Sequence, residues 1–207
     1  MSELERKPRI RFKGFADPWE QRKVDSFATL SKGEGYSKSD LTESGTPIIL
    51  YGRMYTNYQT TIDSVDTFAE LKTGAIISKG GEVIIPASGE TAEDISRASK
   101  VDKCGIILGG DLNIINADKT VSDGTFLAIV LSNGDAQKKV SSLAQGKTVV
   151  HIHPEDISTL EISLPDLKEQ AKIASLFSSL DSLVTLHQRK LEKLKNIKKS
   201  LLERMFA

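Results

Sequence analysis

All four tyrosines of the chain, Tyr36, Tyr51, Tyr55 and Tyr58, fall in one stretch with Lys32, Lys38, Arg53, Asn57 and Gln59. Aromatic and amide side chains beside cations suit base edges and phosphates, because cations hold the backbone while amides and hydroxyls read hydrogen-bond patterns. Lys79, Ser88 and Arg97 extend this candidate DNA-contact set. The competing reading places two of the tyrosines in the core and the rest on an ordinary surface. It also makes Ser88-Gly89-Glu90-Thr91 a loop and helix cap rather than a contact loop.

Catalytic patterns fail on inspection. Gly146-Lys147-Thr148 resembles the end of a phosphate-binding loop, but Ser141 stands where that loop needs glycine. Gly33-Glu34-Gly35 lacks the third glycine and the preceding strand of a dinucleotide turn. His151 and His153 alternate as two metal ligands on a strand would, yet no third ligand has a fitting spacing, so no metal site is expected. Ser88 has no glycine two residues before it and is not a nucleophile elbow. Asp17-Pro18-Trp19 lacks the second proline of an amino-methyltransferase motif. Cys104 is the sole cysteine. It excludes an internal disulfide, fits a reducing cytoplasm, and beside Ile106, Ile107 and Leu108 is expected to be buried and inert. The chain is therefore read as non-catalytic.

Net charge is zero over 207 residues, but the distribution is uneven. Residues 1–15 carry five bases against two acids, and residues 169–207 carry eight against four, leaving the middle strongly acidic. A DNA reader built this way needs a local basic patch or charge from a partner. No apolar window is long enough to span a membrane, and Met1–Pro8 has no apolar segment of a signal peptide.

The elements that must hold these residues read as an α+β body, residues 1–163, with a mixed or antiparallel sheet, followed by a long helix, residues 164–207. Strands are expected at Ile48–Tyr51, Glu82–Ile85, Gly105–Leu108, Phe126–Leu131, Val149–His153 and Leu160–Ser163, each bounded by Gly, Pro, Asn or Asp. Short helices are expected at Thr91–Ala98 and Gly134–Leu143. Trp19–Leu30 is an amphipathic run of either type.

The tail has the strongest pattern. Asp166 with Glu169 forms a capping box, and no Gly or Pro interrupts the helix that follows. Ile173, Phe177, Leu180, Val184, His187, Leu191, Leu194, Lys198 and Leu201 step by four and three, the period of a coiled-coil seam. His187 and Lys198 are polar seam positions that fix register. Leu176, Leu183, Leu186 and Ile197 widen the apolar face. From Leu167 to Met205 the rod spans roughly 58 Å, more than the body can cover. It is built to meet another helix.

Several segments together resemble the specificity (S) subunits of type I restriction–modification systems. They are Pro8–Phe15 with Asp17–Lys23, Ile84–Ile95, Gly109-Gly110-Asp111, Gln145–Thr148, Leu164-Pro165 with Glu169-Gln170 and Ile173-Ala174, and Lys198–Phe206. The resemblance covers nearly the whole chain. It implies a cytoplasmic, non-catalytic target-recognition domain that binds double-stranded DNA. It further implies partner methyltransferase (M) subunits on the conserved helix, and a restriction/translocase (R) subunit joined through that complex. S-adenosylmethionine, ATP and Mg are then expected on those partners and no cofactor on this chain. A typical member has two recognition domains and two helices, whereas this chain has one of each. A homodimer with antiparallel helices is expected to read a symmetric bipartite site. The alternative is a truncated or regulatory half that competes for the same partners without productive recognition.

Overall fold

The computed structural model describes residues 8–146 and 148–206. The basic residues Arg6 and Lys7, and Lys147 of the Gly-Lys-Thr triplet, lie outside the described residues. In chain order the body contains β1 (Glu20–Lys23), β2 (Ala28–Lys32), β3 (Leu41–Thr42), β4 (Thr46–Ile49), α1 (Arg53–Thr56), β5 (Thr61–Ile62), β6 (Phe68–Ala69) and β7 (Ile77–Lys79). There follow β8 (Val83–Pro86), β9 (Ser88–Gly89), β10 (Ser99–Val101), β11 (Cys104–Leu108), β12 (Leu112–Ala117), α2 (Gly124–Leu131), α3 (Gly134–Leu143), β13 (Val150–His151), α4 (Pro154–Ser158) and β14 (Glu161–Leu164). The rod is α5 (Leu167–Phe206).

Two five-stranded sheets face each other, in the orders β2-β12-β8-β10-β5 and β3-β6-β4-β11-β7. Each is mixed: β5 runs parallel to β10, and β4 parallel to β11, while the other pairings are antiparallel. Strand alternation assigns two cores. Val83, Ile85 and Ile115 point into a cluster with Phe126, Leu127, Leu131 and Val140 of the helices, whereas Ile84, Leu112 and Ile114 point toward Ile49, Ile106 and Leu108 of the second sheet. Both faces of β8 are covered, which is why it reads as an unbroken apolar run.

Residues 126–131 are helical, not a strand. Continuous apolar runs carry no period to separate the two. The deciding signal is local: the Asp123 carboxylate accepts from Phe126 N at 2.8 Å and caps α2, which is buried nearly all round. Thr91–Ala98 forms only a 3-10 turn, Asp94–Ser96, after which Arg97 is already extended. The expected Val149–His153 strand shortens to β13, and His153 instead precedes α4 as its N-cap, so the two histidines share no strand face. Cys104 is exposed rather than buried. The β7–β11 register shifts between Cys104 and Ile107, and Gly105 takes φ +87°, so the alternation that buries Ile106–Leu108 does not extend to residue 104.

Candidate nucleic-acid interface

Strand direction gives the body a tip and a root. At the root, the Asp166 carboxylate accepts from Glu169 N at 2.9 Å and starts α5. Glu169, 1% exposed, receives both guanidinium arms of Arg11 at 2.7 Å, a bidentate pair that raises the Arg11 pKa. Gln170 is fully buried; its amide oxygen accepts from Asp123 N at 2.9 Å, and its NH2 donates to Val121 O and Pro165 O. Ala174 and Ile173 pack into the helical core of the body. Ile173 is therefore occupied by its own chain and drops out of the seam, because the first two turns of α5 are part of the body. From Ser175 to Phe206 every residue is exposed. The Thr60 hydroxyl donates to Asp181 at 2.9 Å and ties the open part of the rod to the body.

At the tip, the turn Gly109–Asp111 leads from β11 into β12, with Asp111 at φ +59°. A Cβ on Gly33 would stand 2.0 Å from Gly109 O, so only glycine lets the Gly33–Ser37 loop lie on that turn. Tyr36 is 6% exposed. Its hydroxyl donates to Glu70 O and accepts from Lys72 N, and it holds two loops together from within the core. Lys38 follows on the rim, exposed. Asp40 beside it is held down to about 2, chiefly by Lys72 and further by the Ser37 backbone and hydroxyl.

The phenols divide by role. Tyr55 donates to the Ser88 carbonyl, and its pKa is raised by burial. Tyr51 meets it edge-on at 5.9 Å and remains on the surface. Tyr58 donates toward Ala98 O and Ser132 Oγ, both at 3.2 Å, on the flank facing the rod. Ser88 is buried in β9. The Arg53 guanidinium is committed to Asp66, Gln59 and Ser64 at 2.9–3.2 Å, with its side chain 11% exposed. Tyr36, Arg53 and Ser88 thus act inside the body, against the expectation that they face a ligand. Their neighbours supply enough partners and packing to withdraw them from solvent. Lys32, whose Nζ is 3.2 Å from His153 Nδ1, Tyr51 and half-buried Arg97 remain at the tip. Asn57 is exposed at the end of α1.

Lys79 is at the other end. It stands with Lys100 and Lys119 around the Gly80-Gly81 turn, where Lys119 Nζ lies 3.4 Å from Gly80 O and Lys100 pairs with Asp102 at 2.6 Å. Sequence reasoning missed these two lysines, one in β10 and one in the turn after β12, which show no common spacing. It also missed Asp94 and Asp111, which lie close enough to Tyr55 to raise its pKa further. The Gly80-Gly81 pair was the available signal for a tight turn there. Among the described residues no group of His, Cys, Asp and Glu could hold a metal ion, and no helix is long and apolar enough to cross a membrane.

The model of the type I restriction modification DNA specificity domain matches residues 16–196. The specificity subunit of type I restriction enzyme MjaVIII from Methanocaldococcus jannaschii is 23% identical over 140 residues, covering 68% of this chain and 31% of that one. The crystal structure of the type I S subunit from M. genitalium superimposes with TM-score 0.60 at 22% identity, covering 84% of this chain and 42% of that chain. The HsdS subunit from Thermoanaerobacter tengcongensis gives TM-score 0.59 at 14% identity, covering 91% and 43%. The chain spans about a third of the curated relative and less than half of these solved chains. Its α+β body, its long C-terminal helix and the match over most of its length place the chain in the family of type I restriction modification DNA specificity domains.

Proposed function

We propose that this chain is the sequence-specific DNA-recognition subunit of a type I restriction–modification complex in the cytoplasm. In this reading it acts as a homodimer whose two bodies read the halves of a symmetric split site. The body reads DNA and performs no chemistry itself. The rod pairs with its mate and carries the methyltransferase subunits, through which the restriction/translocase subunit joins. S-adenosylmethionine, ATP and Mg belong to those partners. Double-stranded DNA meets Lys32, Lys38, Tyr51 and Asn57 on the exposed surface and the half-buried Arg97 at the tip, with Lys79 and its neighbouring lysines on backbone phosphates.

The observation that carries this reading is the rod. Leu180, Leu183, Leu191, Leu194 and Leu201 are each about half exposed along the rod. An apolar face of that extent marks an interaction surface. Joined to a DNA specificity domain, it points to a pair of reading heads on one scaffold.

The test is reconstitution of the chain with its methyltransferase subunit, followed by single-molecule sequencing of methylated adenines. The expected result is one palindromic, interrupted target. Binding of the methyltransferase with no site preference would instead support the competing-half reading, which the carboxylates Glu90, Glu93, Asp94 and Asp111 near the tip favour.

A further inference from the structure

Lys32 is a cation at the tip, and the group that holds it carries no negative charge. Its Nζ lies 3.2 Å from His153 Nδ1, and both residues are exposed. An ammonium only donates, so Nδ1 must offer its lone pair: the imidazole is neutral and its proton sits on Nε2. Other cations of the body are matched to acids. Lys72 pairs with Asp40, Lys100 with Asp102 and Arg53 with Asp66, and a carboxylate partner cancels the charge that a phosphate would meet. Among the described residues no carboxylate pairs with Lys32. The acid three residues past His153, Asp156, accepts instead from the His153 backbone N–H at 3.0 Å. A neutral acceptor fixes the direction of the ammonium and leaves its full charge in place.

The two side chains stand on backbones that are tied to each other. Lys32 ends β2, is followed by the tightly seated Gly33, and lies opposite Asn113 of β12. Asn113 is fully buried, and its Nδ2 donates to Ile152 O at 3.0 Å. The residue facing Lys32 across the sheet thus grips the residue before His153. Ile152 N donates to Ala87 O at 3.0 Å, and His153 O accepts from Asp156 N and Ile157 N at 3.1 and 3.2 Å. Both backbones and the link between them form one frame. The flexible part is the Lys32 stem, and the imidazole restrains its end.

A lysine meets phosphate as a point charge on a flexible stem, and ordering that stem on binding costs affinity. An acceptor that orders it beforehand removes part of that cost. We propose that His153 is a positioning residue for DNA binding, whose neutral imidazole presents the Lys32 ammonium to one backbone phosphate at the tip. This rests on the DNA-recognition reading above and adds to it a residue from outside the tyrosine-rich stretch. A phosphate contact of this kind fixes the register from which neighbouring side chains read bases.

The test is a double-mutant cycle on the chain reconstituted with its methyltransferase subunit. Binding is measured at several salt concentrations on cognate and random duplex, and urea titration of each variant corrects for the folded fraction. Lys32→Ala is expected to weaken both duplexes and to reduce the salt slope by about one. His153→Phe keeps a ring and removes the acceptor. It is expected to weaken both duplexes by about three- to tenfold with the salt slope unchanged, because the charge remains and only its ordering is lost. In the Lys32→Ala background the same change is expected to alter binding by less than about twofold. His153→Asn, whose Oδ1 stands where Nδ1 stood, is expected to recover binding to within about twofold of the unaltered chain. A His153→Phe loss that is as large without Lys32, or confined to the cognate duplex, or absent, overturns the proposal and leaves the recognition reading standing. So does a His153→Asn variant no better than His153→Phe. An unaltered complex that binds neither duplex overturns both.

Discussion

Phe126 has no exposed surface and meets Trp19 edge-on in the helical core, whereas Phe177 lies open on the rod. The same side chain completes one unit in the body and leaves the other incomplete. The body has two cores and settles its own apolar residues. Past Ala174 every described residue of the rod is exposed, and in the proposed dimer its apolar residues would gain roughly 1.5–3 kcal/mol apiece against a second helix. On the proposed pairing, stability divides into an intramolecular part and a concentration-dependent part, and substitutions separate the two.

The largest effect is expected in the body. Phe126→Ala removes a fully buried ring and should lower unfolding free energy by about 3–5 kcal/mol, measured by urea titration, with rod pairing altered only through the folded fraction. Leu191→Asp is its counterpart. A buried charge at the seam should weaken pairing about a hundredfold or more, read by sedimentation equilibrium, while the melting of the body in the monomer is unchanged. Should Leu191→Asp leave the dimer intact, the seam is misassigned and the contrast between the two regions fails.

The junction belongs to the body, and Gln170→Ala tests that. It would leave Asp123 N and the carbonyls of Val121 and Pro165 without their partner. The expected loss is about 2–3 kcal/mol of body stability. Were α5 an independent appendage, the substitution would be silent in the urea titration and would loosen only the rod.

How much of this was legible in the sequence follows from the same contrast. The rod shows its period because the signals that set it, the cap at Asp166, the four–three stepping and the lack of Gly or Pro, all act within one helix. Where it meets the body the pattern misleads, since Ile173 continues the period yet packs on the core. In the body, the strands β8, β11 and β14 were readable from apolar runs bounded by turn residues. The helix α2 was not, because a segment buried on all sides has no polar face to display a period. The candidate site was least legible. Tyr36 and Tyr51 are the same residue in similar company, and only the contacts of Glu70 and Lys72 with Tyr36 distinguish a structural phenol from a surface one. The lysines around Gly80-Gly81 are joined by topology alone.

Within the body, tip and root offer a finer version of the comparison. Arg97→Ala at the tip should cost about 1–3 kcal/mol on the cognate half-site and relax its sequence preference, if Arg97 reads a base. Lys79→Ala should weaken all sequences alike and reduce the salt slope of binding by about one. Binding measured on cognate and random duplex at several salt concentrations separates them. Equal behaviour of the two variants would remove the distinction between a reading tip and a phosphate-holding root. Arg53→Ala is expected to loosen the 57–66 stretch held by Asp66, Gln59 and Ser64, and not to act as a base contact.

The smallest effect lies in the loop behind Tyr36. Asp40 is held down to about 2 by Lys72 and Ser37. A carboxylate depressed in the folded state binds fewer protons there than in the unfolded chain, whose value is near 4. Its contribution is therefore complete above about pH 4 and is lost as pH falls from there toward 2. Asp40→Asn removes the charge at every pH. The stability gap between the unaltered chain and Asp40→Asn, measured by urea titration, should be constant at neutral pH and close between about pH 4 and 2. A gap that persisted undiminished below pH 2 would mean that Asp40 acts through neutral hydrogen bonds to Ser37, and that the Lys72 pair contributes nothing to holding the tip loop.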